Sequence, residues 1–135
     1  MRKLPSIAAL LGLILFASGA RAEIVFENPR FRAVLGDDAV WLSLEDKGTG
    51  TDYCAAEKRI SFATARVAGK TYSANRASLA GDRLTVGFGG CDTRLEYRVS
   101  TTDDWIAFKL VEIAGTRPSH VMLVRIGVTI TERGG

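Results

Sequence analysis

The chain has 135 residues, 47% of them hydrophobic, and 18 Lys and Arg against 15 Asp and Glu give it a formal net charge of +3. Three of the basic residues, Arg2, Lys3 and Arg21, precede Glu23, and every acidic residue lies at or after it, so from residue 23 onward the charges balance at 15 each. A neutral body with no Lys/Arg cluster argues against a nucleic-acid partner, and 113 residues make one domain, large enough to bury a core without needing disulfides.

The first elements are targeting signals. Arg2 and Lys3 open the chain, Ile7 to Ala17 is an unbroken apolar run, and Ala20-Arg21-Ala22 is a small-x-small cleavage pattern. Together they predict a secretory signal peptide over residues 1–22, cleaved after Ala22. The run is shorter than the roughly 20 residues that span a bilayer, and no Cys follows it to carry a lipid. The expected mature domain is 23–135, periplasmic or secreted, with no membrane anchor after cleavage. It is either free-standing or the N-terminal part of a longer protein.

Strand patterning then runs from end to end. Phe31, Ala33 and Leu35 alternate with Arg32 and Val34, and Gly36-Asp37-Asp38 turns the chain. Val40, Leu42 and Leu44 alternate next and end at DKGTG, Asp46 to Gly50. Asp52 to Lys58 is the best helical stretch, two turns at most. Ser61 to Val67 predicts a strand joined by Ala68-Gly69-Lys70 to a short partner around Tyr72. Leu84, Val86 and Phe88 pair through Gly89-Gly90 with Leu95, Tyr97 and Val99. Thr101 to Asp104 leads into Ile106, Phe108 and Leu110. The period of two and the Gly/Asp punctuation predict an all-β fold, an antiparallel β-sandwich built largely of sequential hairpins. The last strand, Val121 to Thr131, is apolar on both faces at its start. That pattern predicts insertion in mid-sheet, or cover by a downstream catalytic domain or a protein partner.

Few residues point to chemistry. Cys54 and Cys91 form an even pair in an oxidising compartment, which predicts a disulfide stabilising the fold by about 4 kcal/mol; the alternative is two buried thiols. His120 is the single histidine and stands at the start of the last strand, with no second histidine or Cys pair to make a metal site. The doublets Asp37-Asp38 and Asp103-Asp104 could act as paired carboxylates, but they fall in turns, where Asp bonds its own backbone. The DKGTG turn lacks the P-loop pattern and a following helix. No catalytic residue, metal ligand or cofactor motif is assigned. Trp41 and Trp105 fall on the less apolar faces of their strands. They are either exposed platforms for a ligand such as a sugar ring or core residues whose register is misread.

The phrases DKGTGTDY (Asp46 to Tyr53), VAGKTYSA (Val67 to Ala74), GDRLTVGFG (Gly81 to Gly89) and VSTTDDWIAFKLVEIAG (Val99 to Gly115) carry a resemblance. The chain resembles the N-terminal β-sandwich, of the supersandwich or galactose-mutarotase-like type, that precedes the catalytic domain in secreted bacterial glycoside-hydrolase-like proteins. The resemblance implies an exported, non-catalytic module associated with carbohydrate binding or processing, with a polysaccharide as ligand. A free-standing interaction domain is the alternative. A small hydrolase is a third reading, weakened by the single histidine and the missing nucleophile motif.

Overall fold

The computed structural model describes residues 22–125. Four antiparallel strands form the first sheet: β1 (Glu23–Glu27), β2 (Phe31–Gly36), β3 (Trp41–Asp46) and the short β4 (Thr51–Asp52), in that order. After a single 3-10 turn, Ala56–Lys58, come β5 (Thr64–Val67), β6 (Lys70–Ala80), β7 (Arg83–Phe88), β8 (Arg94–Thr101), β9 (Ile106–Ala114) and β10 (His120–Met122). These build a second antiparallel sheet in the order β10-β5-β6-β7-β8-β9. Every connection within a sheet is a hairpin except the last, which carries the chain from β9 at one edge to β10 at the other. The fold is all-β with two antiparallel sheets, sandwich-like about one shared core.

That core follows from the alternation. Ile24 and Phe26 of β1, Ala33 and Leu35 of β2, and Trp41 of β3 face Leu84, Val86 and Phe88 of β7 and Leu95 and Tyr97 of β8. At its centre Phe62, just before β5, meets Trp41, Tyr97 and Phe108 at ring-centroid distances of 5.6, 5.2 and 5.3 Å. The last two contacts are edge-to-face, the geometry in which ring quadrupoles attract.

Three β-bulges shape the sheets. Leu42 is an extra residue on β3 opposite the Val34/Leu35 step, Asn75 one on β6, and Val111 one on β9. A bulge resets alternation beyond it. The Val111 bulge, with Lys109 and Glu112 beside it, also blunts the open edge of β9 against pairing with other chains.

Turns are fixed by short polar side chains. Asn28 Oδ1 accepts from the N–H groups of Arg30 and Phe31 at 2.9 and 2.7 Å. Asp38 Oδ1 accepts from Val40 N–H at 3.2 Å. Asp52 accepts from the N–H groups of Leu44 and Cys54 and from the Ser43 hydroxyl. Partial burial works to raise its carboxyl pKa, but these donors outweigh it and leave the pKa lowered. The turn reading of Asp38 thus has its hydrogen bond.

Several expectations need correction. Cys54 and Cys91 are not bonded. Cys54 follows β4 of the first sheet and Cys91 lies in the β7–β8 turn of the second, each half-buried against the core as a small apolar group. Burial pushes the Cys54 thiol up, and the charges of Asp52 and Glu57 add to it, so it stays protonated. The helical stretch over 52–58 is reduced to one 3-10 turn. The partner strand around Tyr72 is 11 residues long, not short. Among the described residues β10 is not inserted in mid-sheet; it pairs with β5, at an edge. Residues 126–131 of that predicted strand lie outside the described residues. So does the expected signal peptide, save for Ala22, whose carbonyl accepts from Asp37 N–H at 3.0 Å.

Beyond β10 the chain stays on the domain as a clasp over the core. The Tyr97 hydroxyl donates to the Leu123 carbonyl at 2.6 Å, the Trp41 indole N–H donates to the Arg125 carbonyl, and Arg125 N–H donates to the Phe62 carbonyl at 2.7 Å. Two core aromatics therefore place their single polar hydrogen on residues 123–125. Tyr97→Phe is expected to cost about 1–3 kcal/mol, because the Leu123 carbonyl loses its donor. The same variant has a pH signature. Burial raises the Tyr97 pKa far above its ordinary 10.0. The unfolded chain releases this proton first, so the contribution is complete below pH 10 and fades as pH rises past it. Unfolding curves between pH 8 and 11 should show this alkaline slope in the parent chain and a shallower one in Tyr97→Phe.

Candidate functional site

An open groove of about 500 Å³ runs between the two sheets beside the clasp. Its floor is apolar and buried, made by Trp41 and Ala33, with half-buried Phe31, Leu44, Ile106 and Phe108 as walls. Trp105, Asp104 and Val124 stand at its mouth. The volume falls in the range of pockets that take a small ligand or one segment of a polymer.

The two tryptophans are brought together here in unlike roles. Trp105 is 58% exposed, just ahead of β9, as its strand face predicts. Trp41 is 2% exposed and belongs to the core, which corrects its reading as an exposed platform. The cause is the Leu42 bulge. Strict alternation puts Trp41 opposite Leu44, whereas the extra residue lets both face the core, Trp41 beside Leu35 and Leu44 beside Ala33. The Trp41 ring also meets Phe26 edge-on at 6.4 Å, so it is held on two sides by other rings.

Trp105 is presented by a tight turn. Thr102 N–H donates to the Trp105 carbonyl at 2.9 Å, and the Thr102 hydroxyl accepts from the N–H groups of Asp104 and Trp105 at 3.3 and 3.2 Å. This frees the Asp104 carboxylate from local work. It reaches the β1–β2 turn instead, 2.9 Å from Arg30 Nε. The pair joins one sheet to the other at the rim of the groove. Both partners are well exposed, so its worth in stability is about 0–1 kcal/mol; its consequence is a set of donors and acceptors held next to an exposed indole.

The other singled-out residues lie elsewhere. His120 begins β10, exposed, its Nδ1 3.3 Å from the Ser119 hydroxyl, which is also 3.2 Å from the Arg66 carbonyl. Asp38 faces Arg59 at 3.3 Å. Neither cysteine lines the groove. Among the described residues no group of three or more His, Cys, Asp or Glu could hold a metal ion. Sequence reasoning missed Arg30, Phe31 and Val124 at the groove. Arg30 and Phe31 come from a turn and a strand start distant in sequence from Trp105, and no local pattern signals a contact across two sheets.

Comparison with protein-family models, with curated proteins and with solved structures returned no match. The fold and groove therefore define the class by themselves: an all-β domain of two antiparallel sheets with a ligand-sized apolar groove opening beneath an exposed tryptophan.

Proposed function

We propose that this is an exported, non-catalytic binding module that takes a polysaccharide segment on Trp105 and the groove below it. The observation that carries the reading is Trp105, exposed and fixed by its turn at the rim. A sugar ring has an apolar face of C–H groups and an edge of hydroxyls. An indole face suits the first, and the neighbouring Arg30 and Asp104 supply donors and acceptors for the second. Export rests on the signal-peptide pattern of residues 1–22.

Trp105→Ala is expected to abolish retardation of the protein in affinity gels containing soluble polysaccharides, while its unfolding free energy stays within about 0.5 kcal/mol of the parent value. Retained retardation, or absence of retardation of the parent chain across neutral and acidic polysaccharides, would sink the reading.

A second reading, an exported interaction domain, draws on a different observation. Met122, Leu123 and Val124 are all exposed, and Val124 lines the same groove. An apolar protein segment would extend that surface. Polysaccharide binding lost in Trp105→Ala favours the first reading, and a protein captured through Met122 and Val124 favours the second.

A further inference from the structure

The outer face of the second sheet carries a second, differently built feature. Arg76 of β6, Gly87 of β7 and Arg94 of β8 stand in one cross-strand row. A side chain on Gly87 would collide with its neighbour: a Cβ there would lie 2.8 Å from Arg76 Nη2 and 3.0 Å from Nε. The Arg76 guanidinium therefore lies across the bare backbone of β7. Strands are about 4.8 Å apart, so this places the head one strand spacing from the strand that carries Arg94.

Neither guanidinium has a hydrogen-bond or ion-pair partner among the described residues. Arg30, Arg59, Arg83 and Arg98, by contrast, each lie within 4.0 Å of a carboxylate. The next row of the same face brings Ser78 and Thr85 alongside, and its Glu96 is already engaged by Arg83 at 3.1 Å. Arg76, Arg94, Ser78 and Thr85 line one shallow depression of about 310 Å³. Asp37 lines it too, without an ion pair to either arginine.

We propose that Arg76 and Arg94 form an oxyanion site that binds a carboxylate or sulfate group, with the hydroxyls of Ser78 and Thr85 as further donors. Two planar forks present parallel N–H pairs that match the oxygen spacing of such groups. An anion between them also relieves the repulsion of two unpaired like charges on the strands that flank β7. Asp37 opposes the anion and limits its affinity. Gly87 is the positioning residue, because only a bare strand lets the Arg76 head lie toward Arg94. The site is remote from Trp105 in the fold and stands independently of the groove reading.

The test is titration of the 15N-labelled domain with sodium sulfate and, at matched ionic strength, sodium chloride, followed at the Gly87 amide and the arginine Nε–H signals. Dextran sulfate and polygalacturonate serve as polymeric arms. Saturable shifts with sulfate beyond those with chloride are expected. Arg76→Gln with Arg94→Gln should weaken sulfate at least about tenfold. Gly87→Ala should weaken it without changing the charge, by displacing a flexible side-chain end that the fold can spare. Asp37→Asn should strengthen it. The charge-matched pair Arg66→Gln with Arg117→Gln should bind as the parent does. Polymers held more tightly than sulfate, and lost in the same variants, identify a group carried on a chain; sulfate bound with no gain from the polymers identifies a free ion. Equal shifts with chloride and sulfate, undiminished binding by the Arg76/Arg94 variant, or equal loss in the charge-matched pair would each overturn the proposal.

Discussion

Phe62→Ala is expected to lower the unfolding free energy by about 3–5 kcal/mol, the range for removing a fully buried ring. Phe62 is 0% exposed and touches three other aromatic rings from both sheets. Its backbone is equally central. Phe62 N–H donates to the Ala39 carbonyl at 2.7 Å, and its carbonyl accepts from Arg125 N–H at 2.7 Å. The substitution keeps these backbone groups and removes only the ring, so the loss reads packing. Each neighbouring ring loses a packing partner, and because the surrounding strands are held by their ladders, the cavity collapses only in part. Guanidinium unfolding of the two proteins measures the difference. A loss under about 1 kcal/mol would place the core elsewhere than on this aromatic cluster.

Much of this architecture is legible in the residue pattern. The alternations at Leu84-Val86-Phe88 and Leu95-Tyr97 give core faces directly. The punctuation at Gly36-Asp38, Ala68-Lys70, Gly89-Gly90 and Thr101-Asp104 marks turns that the chain makes. What the pattern hides has physical causes. A bulge adds one residue without altering composition, so the extra Leu42 sends Trp41 into the core against its apparent face. β6 buries only Ala74 and Ala77, small residues astride the extra Asn75, so its apolar signal is too weak to show its length. The apolar start of the last strand reads as central because hydrophobicity does not say what covers it. In the fold, Met122, Leu123 and Val124 stay exposed while the backbone of Leu123 and Arg125 does the work of a clasp. The groove is the least legible part, since its rim joins turns from two sheets through the Arg30–Asp104 pair.

The two tryptophans give the second large effect. Trp41→Ala is expected to cost about 3–5 kcal/mol, against at most about 0.5 kcal/mol for Trp105→Ala, whose ring is mostly in solvent. Trp41 combines two contributions, and they are separable. Its ring packs against Phe26 and Phe62; its N–H holds the Arg125 carbonyl. Trp41→Phe keeps much of the ring and removes the donor, for an expected loss of about 1–3 kcal/mol. The site of the loss discriminates further. If the N–H anchors the clasp, hydrogen exchange of Arg125 N–H, which bonds to the Phe62 carbonyl, should accelerate in Trp41→Phe while the amides of β7 and β8 change only in step with global stability. Uniform acceleration would mean that the indole N–H contributes to the whole fold and not to the clasp. In Trp41→Ala both the core and the groove floor are lost, so under the proposed binding function stability and polysaccharide retardation should fall together, whereas Trp105→Ala should lose retardation alone. That contrast follows from one extra residue in β3, which makes one tryptophan the floor of the groove and leaves the other at its rim.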